Sequence, residues 1–222
     1  MPTPTEAAKN SFQSRYIIFI LNSLYHAQSP EVFMKDNQND DMQLVINIAK
    51  QTLTVYRQQN EIHTYSISTA KHGIGSQQDS GCTPLGQHVI AKKIGDSMPI
   101  NTVFVGRVPT GEKYSAEFGA LHSERDWILS RILWLSGLEN GVNKGSNHQG
   151  NCDTYQRYIY IHGTPDSEPM GVPRSHGCVR MRNDDIVALF ELICGSFVLK
   201  HPVKMNIEKM KINKFFMANP LF

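Results

Sequence analysis

Cys178 and His162 are the two side chains whose types and spacing could carry covalent chemistry. A cysteine thiol is a weak nucleophile until it loses its proton, and a nearby imidazole is the usual group to take it. Cys178 lies in Ser175-His-Gly-Cys-Val-Arg-Met181, and His162 opens His162-Gly-Thr164, sixteen positions upstream. His162 reaches the thiol if the loop Thr164–Arg174 folds back. An inert cysteine is normally buried as a small hydrophobe. Cys178 instead follows a glycine and sits among Arg174, His176, Arg180 and Arg182, an electropositive setting that favours thiolate. The backbone N–H groups of His176, Gly177 and Cys178 share one tight loop and could converge on a developing oxyanion. Zinc is the rival use, because Cys152, His162, His176 and Cys178 are ligands of the right chemistry. Their spacing matches no standard ligand set, and His-x-Cys is cramped for one tetrahedral ion.

These residues need a frame. Leu44, Ile46 and Ile48 alternate in Gln43–Ala49, and Leu53 and Val55 continue the alternation, so a hairpin is expected. Glu61–Thr69, His88–Ala91 and Thr102–Val105 read as further strands, and Thr83-Pro-Leu-Gly86 as a turn. Segment 42–107 is therefore expected to form a mostly antiparallel sheet. Asp126–Leu135 is so densely apolar that periodicity cannot choose between strand and helix. Gly137–Gly150 is a Gly- and Asn-rich loop. Tyr158–His162 reads as a strand with Ile159 and Ile161 on one face and Tyr158, Tyr160 and His162 on the other. Asn183-Asp-Asp185 should open a helix, with Asn183 as N-cap and Gly195 ending it. Ser196–Val203 reads as a last strand, and the tail from 205 to 222 suggests no role.

The chain has 222 residues, 40% of them hydrophobic and 19% charged, enough to bury a sizeable core in one domain. Its formal net charge of +2 gives no basic stripe to hold nucleic acid. Four cysteines without a CxxC pair exclude a disulfide-dense scaffold and the common zinc-finger spacing. No apolar run approaches the ~18 residues of a membrane span. Tyr16–Leu21, preceded by Lys9 and Arg15, has the outline of a secretory signal, but Asn22-Ser23 ends it early and Tyr25 occupies a cleavage-critical site. An amphipathic helix or plain extension over 1–41, and a cytoplasmic protein, are expected; a periplasmic one is the alternative.

His162-Gly-Thr and Ser-His-Gly-Cys-Val-Arg-Met together resemble the signature of the L,D-transpeptidase (YkuD) catalytic domain. Thr83-Pro-Leu-Gly86, Arg131-Ile-Leu-Trp-Leu-Ser-Gly-Leu-Glu139 and Arg157–Gly163 extend the resemblance over about residues 42–204. It implies a mainly β, sandwich-like fold with one or two short helices. It also implies acyl transfer on the peptide stems of bacterial peptidoglycan, with no cofactor. By the same resemblance Cys178 is the nucleophile, His162 the base and Gly163 the carbonyl that orients the imidazole. His176, Gly177 and Cys178 form the oxyanion site, with Ser175 in support. Arg180, Tyr160 and Arg174 are expected to contact substrate. Arg180 could grip a substrate carboxylate with two parallel donors, or could instead pair with Asp184 or Asp185.

The same thioester intermediate leads to two products. Water as acceptor gives a tripeptide, the work of an L,D-carboxypeptidase on tetrapeptide stems or free muropeptides. An amine gives a crosslink. The compact variant carrying Arg131–Glu139 resembles members built for hydrolysis, and hydrolysis is the expectation. A domain that binds stems without turnover, and a redox or zinc sensor, are the other classes; Cys82 and Cys152 could pair if the chain is exported. Cys194 is expected in the core, as are Trp127 and Trp134. Oligomeric state stays open.

Overall fold

The computed structural model describes residues 42–194 and the backbone course of 16–21. Tyr16–Leu21 (β1) is a strand, not the helix or plain extension expected of it. Its β-branched and aromatic residues favour extended backbone. Six residues are also too few to hold a helix without a long packed face. β1 lies between two partners, antiparallel to Met42–Asn47 (β2) and parallel to Gly86–Ile94 (β5). The extension 1–41 thus contributes a strand to the sheet of the domain drawn at 42–204.

Leu44 and Ile46 on β2 and Leu53 and Val55 on Thr52–Arg57 (β3) are all fully buried, with Ile46 opposite Leu53. This is the period-two hairpin expected, and Asn60–Ser66 (β4) adds the edge. Thr102–Val105 (β6) pairs with Val108–Lys113 (β7), a strand hidden in the sequence by its exposed, Pro- and Gly-containing run. Ala116–Leu121 (α1) was also unforeseen, although Ser115 caps it by accepting the Phe118 N–H at 3.1 Å.

The ambiguous apolar stretch is a strand, Ile128–Gly137 (β8), buried on both faces and so lacking alternation. Ser146–Asn147 (β9) and Gly150–Asn151 (β10) form a small separate ribbon. Tyr160–Gly163 (β11) runs antiparallel to β8 and parallel to Val179–Met181 (β12). The strand starts two residues later than expected, because Tyr158 has φ +58°. Asn183–Cys194 (α2) packs on β8 and β11. Among the described residues the main sheet runs β12-β11-β8-β5-β1-β2-β3-β4, with β6 and β7 joined to β8. The fold is mainly β, and among the described residues no helix is long and apolar enough to cross a membrane.

Parity along β8, β11 and β12 builds two cores. Leu133, Leu135, Ile161, Val179 and Met181 join α2 and the β2–β3 hairpin in the larger one. Ile132, Trp134, Tyr160 and Phe104 form a second cluster, against which Cys178 packs. Trp127 is buried in a third, with Val103 and Leu129. Asn183 does not cap α2. Its amide donates to Thr164 O at 2.8 Å and accepts from Ser130 Oγ at 2.6 Å, and the first turn closes on Arg182 O. The amide is spent on tying the helix to β8 and to the chain beyond β11. Gly195, the strand expected at 196–203, the tail and the side chain of Cys194 lie outside the described residues.

Candidate active site

Residues 164–174 carry the chain back so that β12 lies beside β11, with Ile161 opposite Val179 and His162 opposite Arg180. Side chains at matched positions of neighbouring strands share a face, and so do those two residues away. Tyr160, His162, Cys178 and Arg180 therefore sit on one face, away from the larger core. The Tyr160 N–H donates to Cys178 Sγ at 3.4 Å, and the thiol donates to Tyr158 O at 3.5 Å.

His162 is only 2% exposed, and its Nδ1 lies 2.8 Å from Gly163 O. A carbonyl only accepts, so Nδ1 carries the proton and Nε2 presents its lone pair. Burial pushes the imidazole pKa down to about 4, against the pull of the Gly163 carbonyl and of Asp126. Gly163 is required by packing. A Cβ there would stand 2.5 Å from Asn183 Oδ1 and 2.6 Å from Leu129 O. Gly163→Ala is expected to cost about 2–3 kcal/mol by overpacking and to rotate the carbonyl that aims His162. Thermal unfolding and turnover should fall together; an alanine variant as stable and active as the parent would contradict this packing.

The electropositive setting expected around the thiol is largely offset by acids that the sequence did not place there. Arg180 is buried, and its Nη2 donates to Asp126 Oδ1 at 2.7 Å and its Nη1 to Glu168 Oε2 at 3.0 Å. His176 faces the other oxygen of Asp126 at 3.2 Å, and Arg182 is held by Asp166. Desolvation outweighs the Tyr160 N–H and the pull of Arg180 and Arg157 and pushes the Cys178 thiol up to about 12, although the residue keeps some exposed surface. Burial tends to raise the Asp126 carboxyl as well, but Arg180, His162 and His176 outweigh it and hold the group below the ordinary carboxylate range.

Ser175 donates to Cys178 O at 2.5 Å and accepts the Gly177 N–H at 3.2 Å, bracing the loop from within. Gly177 has φ +136°, a region that favours glycine, and its carbonyl accepts from Thr83 Oγ1 at 2.9 Å. Arg174 is exposed, and its backbone N–H donates to Thr69 O. Tyr160 is buried, with its hydroxyl accepting from Arg107 at 3.1 Å. Asp126, Glu168 and Arg107 are site residues that the sequence did not single out, and Thr83 was read only as part of a turn and of the resemblance. Each comes from a distant segment and carries no local signal of its contact with the site.

Cys82 and Cys152 are free thiols that donate to His72 O and Gly145 O, both at 3.4 Å. Among the described residues no group of three or more His, Cys, Asp or Glu side chains converges to hold a metal ion.

His88 is a second fully buried histidine, bonded to Thr154 Oγ1 and Gly86 O, and burial likewise puts its pKa at about 4. Below the ordinary value of about 6.5 the unfolded chain binds protons that the folded one refuses. Stability should therefore drop as pH falls from 6.5 to 4, by roughly 1.4 kcal/mol per pH unit for each of His88 and His162. Urea midpoints at pH 7, 5.5 and 4.5 check this, and His88→Gln should remove about half of the histidine slope. A flat profile would mean that these imidazoles are not held neutral.

The L,D-transpeptidase catalytic domain family, YkuD, matches residues 41–203. A probable L,D-transpeptidase, YbiS of Escherichia coli K12, is 41% identical over 68 residues. That match takes in 29% of this chain and 22% of YbiS, so the chain spans about a fifth of that relative's length. Among solved structures, an L,D-transpeptidase from Mycobacterium smegmatis aligns over 86% of this chain and 82% of its own, at 13% identity and a TM-score of 0.33. An LD transpeptidase in complex with imipenem aligns over 86% and 83%, at 16% identity and a TM-score of 0.32. With the family match covering β2 through β12 and both site strands, the chain belongs to the YkuD family of L,D-transpeptidase catalytic domains.

Proposed function

We propose that this chain is a cysteine-dependent acyl transferase that removes the terminal D-alanine from tetrapeptide stems of peptidoglycan, with water as acceptor. The observation that supports it is the shared face of Cys178 and His162, with Nε2 left as the proton acceptor by the Gly163 bond. Thiol and imidazole both rest neutral, so the proton moves as the sulfur attacks rather than before it. Sγ bonds to the carbonyl carbon of the third residue while its proton passes to His162 Nε2. The oxyanion accepts from the backbone N–H groups of Cys178 and His176, since that of Gly177 is taken by Ser175. Collapse expels the amine of D-alanine, which takes the proton from His162, and a thioester remains. Water then gives a proton to His162 and attacks; the tripeptide leaves and the thiol is restored.

Arg180 is a positioning residue in this reading, because both its outer nitrogens already hold carboxylates. We propose a cytoplasmic compartment as well, where free muropeptides can be trimmed, and that compartment favours water over an amine. The double pairing of β1 fits a segment kept with the domain. Mass spectrometry of a disaccharide tetrapeptide incubated with the protein, with and without a second stem, tests both points. Loss of one D-alanine is the expected result. A crosslinked dimer as main product makes the acceptor an amine, and no turnover with no thioester on Cys178 overturns the proposal.

A further inference from the structure

β6 and β7 are joined by Gly106-Arg107, whose φ values are +57° and +71°. Two left-handed residues make the turn that follows the twist of a hairpin, but an arginine in that region is strained. The turn places Arg107 over the wall of the thiol. Its Cζ lies 4.8 Å from the Trp134 ring and 4.6 Å from the Tyr158 ring, and Nη1 donates to the Tyr160 hydroxyl. Trp134 stacks flat on Tyr155 at 4.0 Å, and Lys92 Nζ stands 5.4 Å from the Trp134 ring. Tyr158 and Tyr160 are the residues whose backbone meets Cys178 Sγ. Arg180 and Arg182 pair with acids, whereas neither Arg107 nor Lys92 has a carboxylate partner among the described residues.

A guanidinium has five donors, and the Tyr160 hydroxyl takes one. The Trp134 and Tyr158 rings, 5.7 Å apart, lie together on one side of the guanidinium and leave donors free for a planar anion. We propose that Arg107, with Lys92 at the same Trp134 ring, receives a substrate carboxylate next to the bond that breaks. The protein thereby selects peptides with a free acid at that point. This inference rests on the acyl-transfer reading above. Two sources share the chemistry: the C-terminal carboxylate of the leaving residue, and an acidic side chain on the third residue.

The test compares three peptides, the free-acid tetrapeptide, its C-terminal amide, and one with the third side chain amidated. Turnover is measured for the parent, Arg107→Gln, Arg107→Lys and Lys92→Gln. Binding of the same peptides is measured on the full chain carrying Cys178→Ala, with and without Arg107→Gln. The parent should prefer the free acid over one of the amides by roughly 10- to 100-fold in kcat/KM, mostly through KM. Arg107→Gln should erase that preference by weakening the acid and leaving the amide unchanged, while Arg107→Lys retains part of it. Whichever amide is disfavoured identifies the carboxylate. Equal loss on all three peptides, or none, overturns the receptor and leaves acyl transfer standing. Carboxylate-selective binding that depends on Arg107, without turnover by the parent, keeps the receptor and overturns acyl transfer. Absence of both overturns both.

Discussion

Cys178→Ala is expected to leave no measurable release of D-alanine, a loss on the order of 10⁵-fold or more, as is usual when a nucleophile is deleted. Among the described residues the two other thiols are engaged elsewhere. Cys82 and Cys152 donate to carbonyls of their own loops, and Cys152 is fully buried. The variant should fold, because the change removes one half-buried sulfur and leaves the Tyr160 N–H without its weak acceptor, a cost of about 1 kcal/mol. Intact-protein mass spectrometry after a brief incubation with tetrapeptide is the matching measurement. The parent should carry an acyl adduct at Cys178, and the alanine variant none. Turnover persisting in the variant would remove covalent catalysis by this residue.

His162→Gln should lower kcat by roughly 10²- to 10⁴-fold, the range for loss of a positioned base. Glutamine can still donate to Gly163 O but cannot take the thiol proton at all. Peptide binding to the variant should persist, because His162 lies beneath the surface. The pH profile supplies a second readout. In the parent, activity should fall as pH drops through about 4, where the imidazole gains a proton and ceases to be a base. The residual rate of the glutamine variant should lack that limb. A variant within tenfold of the parent would assign proton transfer to another group.

The shared face of Cys178 and His162 was legible in the sequence because each member sits in a short local motif, and because the strand around Ile161 has a clean period of two that puts His162 opposite the isoleucine face. The fold class was legible for a similar reason: Leu44, Ile46, Leu53 and Val55 announce their hairpin. The charge of the site was not. Arg180, His176 and Arg182 look like a cationic cluster until Asp126, Glu168 and Asp166 arrive from other segments to pair them. Tyr16–Leu21 failed for a different reason. A six-residue apolar run suits a signal core, a helix turn or a buried strand, and only its partners β2 and β5 choose. Asn183 has the residue type of a cap, yet tertiary bonds to Thr164 and Ser130 claim its amide first.

Burial pushes the Cys178 thiol well above its ordinary value, so it rests protonated at neutral pH. Peroxides and soft alkylating agents react with thiolate, so they find almost none to consume. In the proposed reaction the sulfur becomes nucleophilic only when an electrophile brings its carbonyl within reach and Nε2 takes the proton in the same motion. On the proposed mechanism reactivity is released by the substrate rather than kept on display, and the same neutral pairing that slows the unprompted thiol would shield it from damage between turnovers.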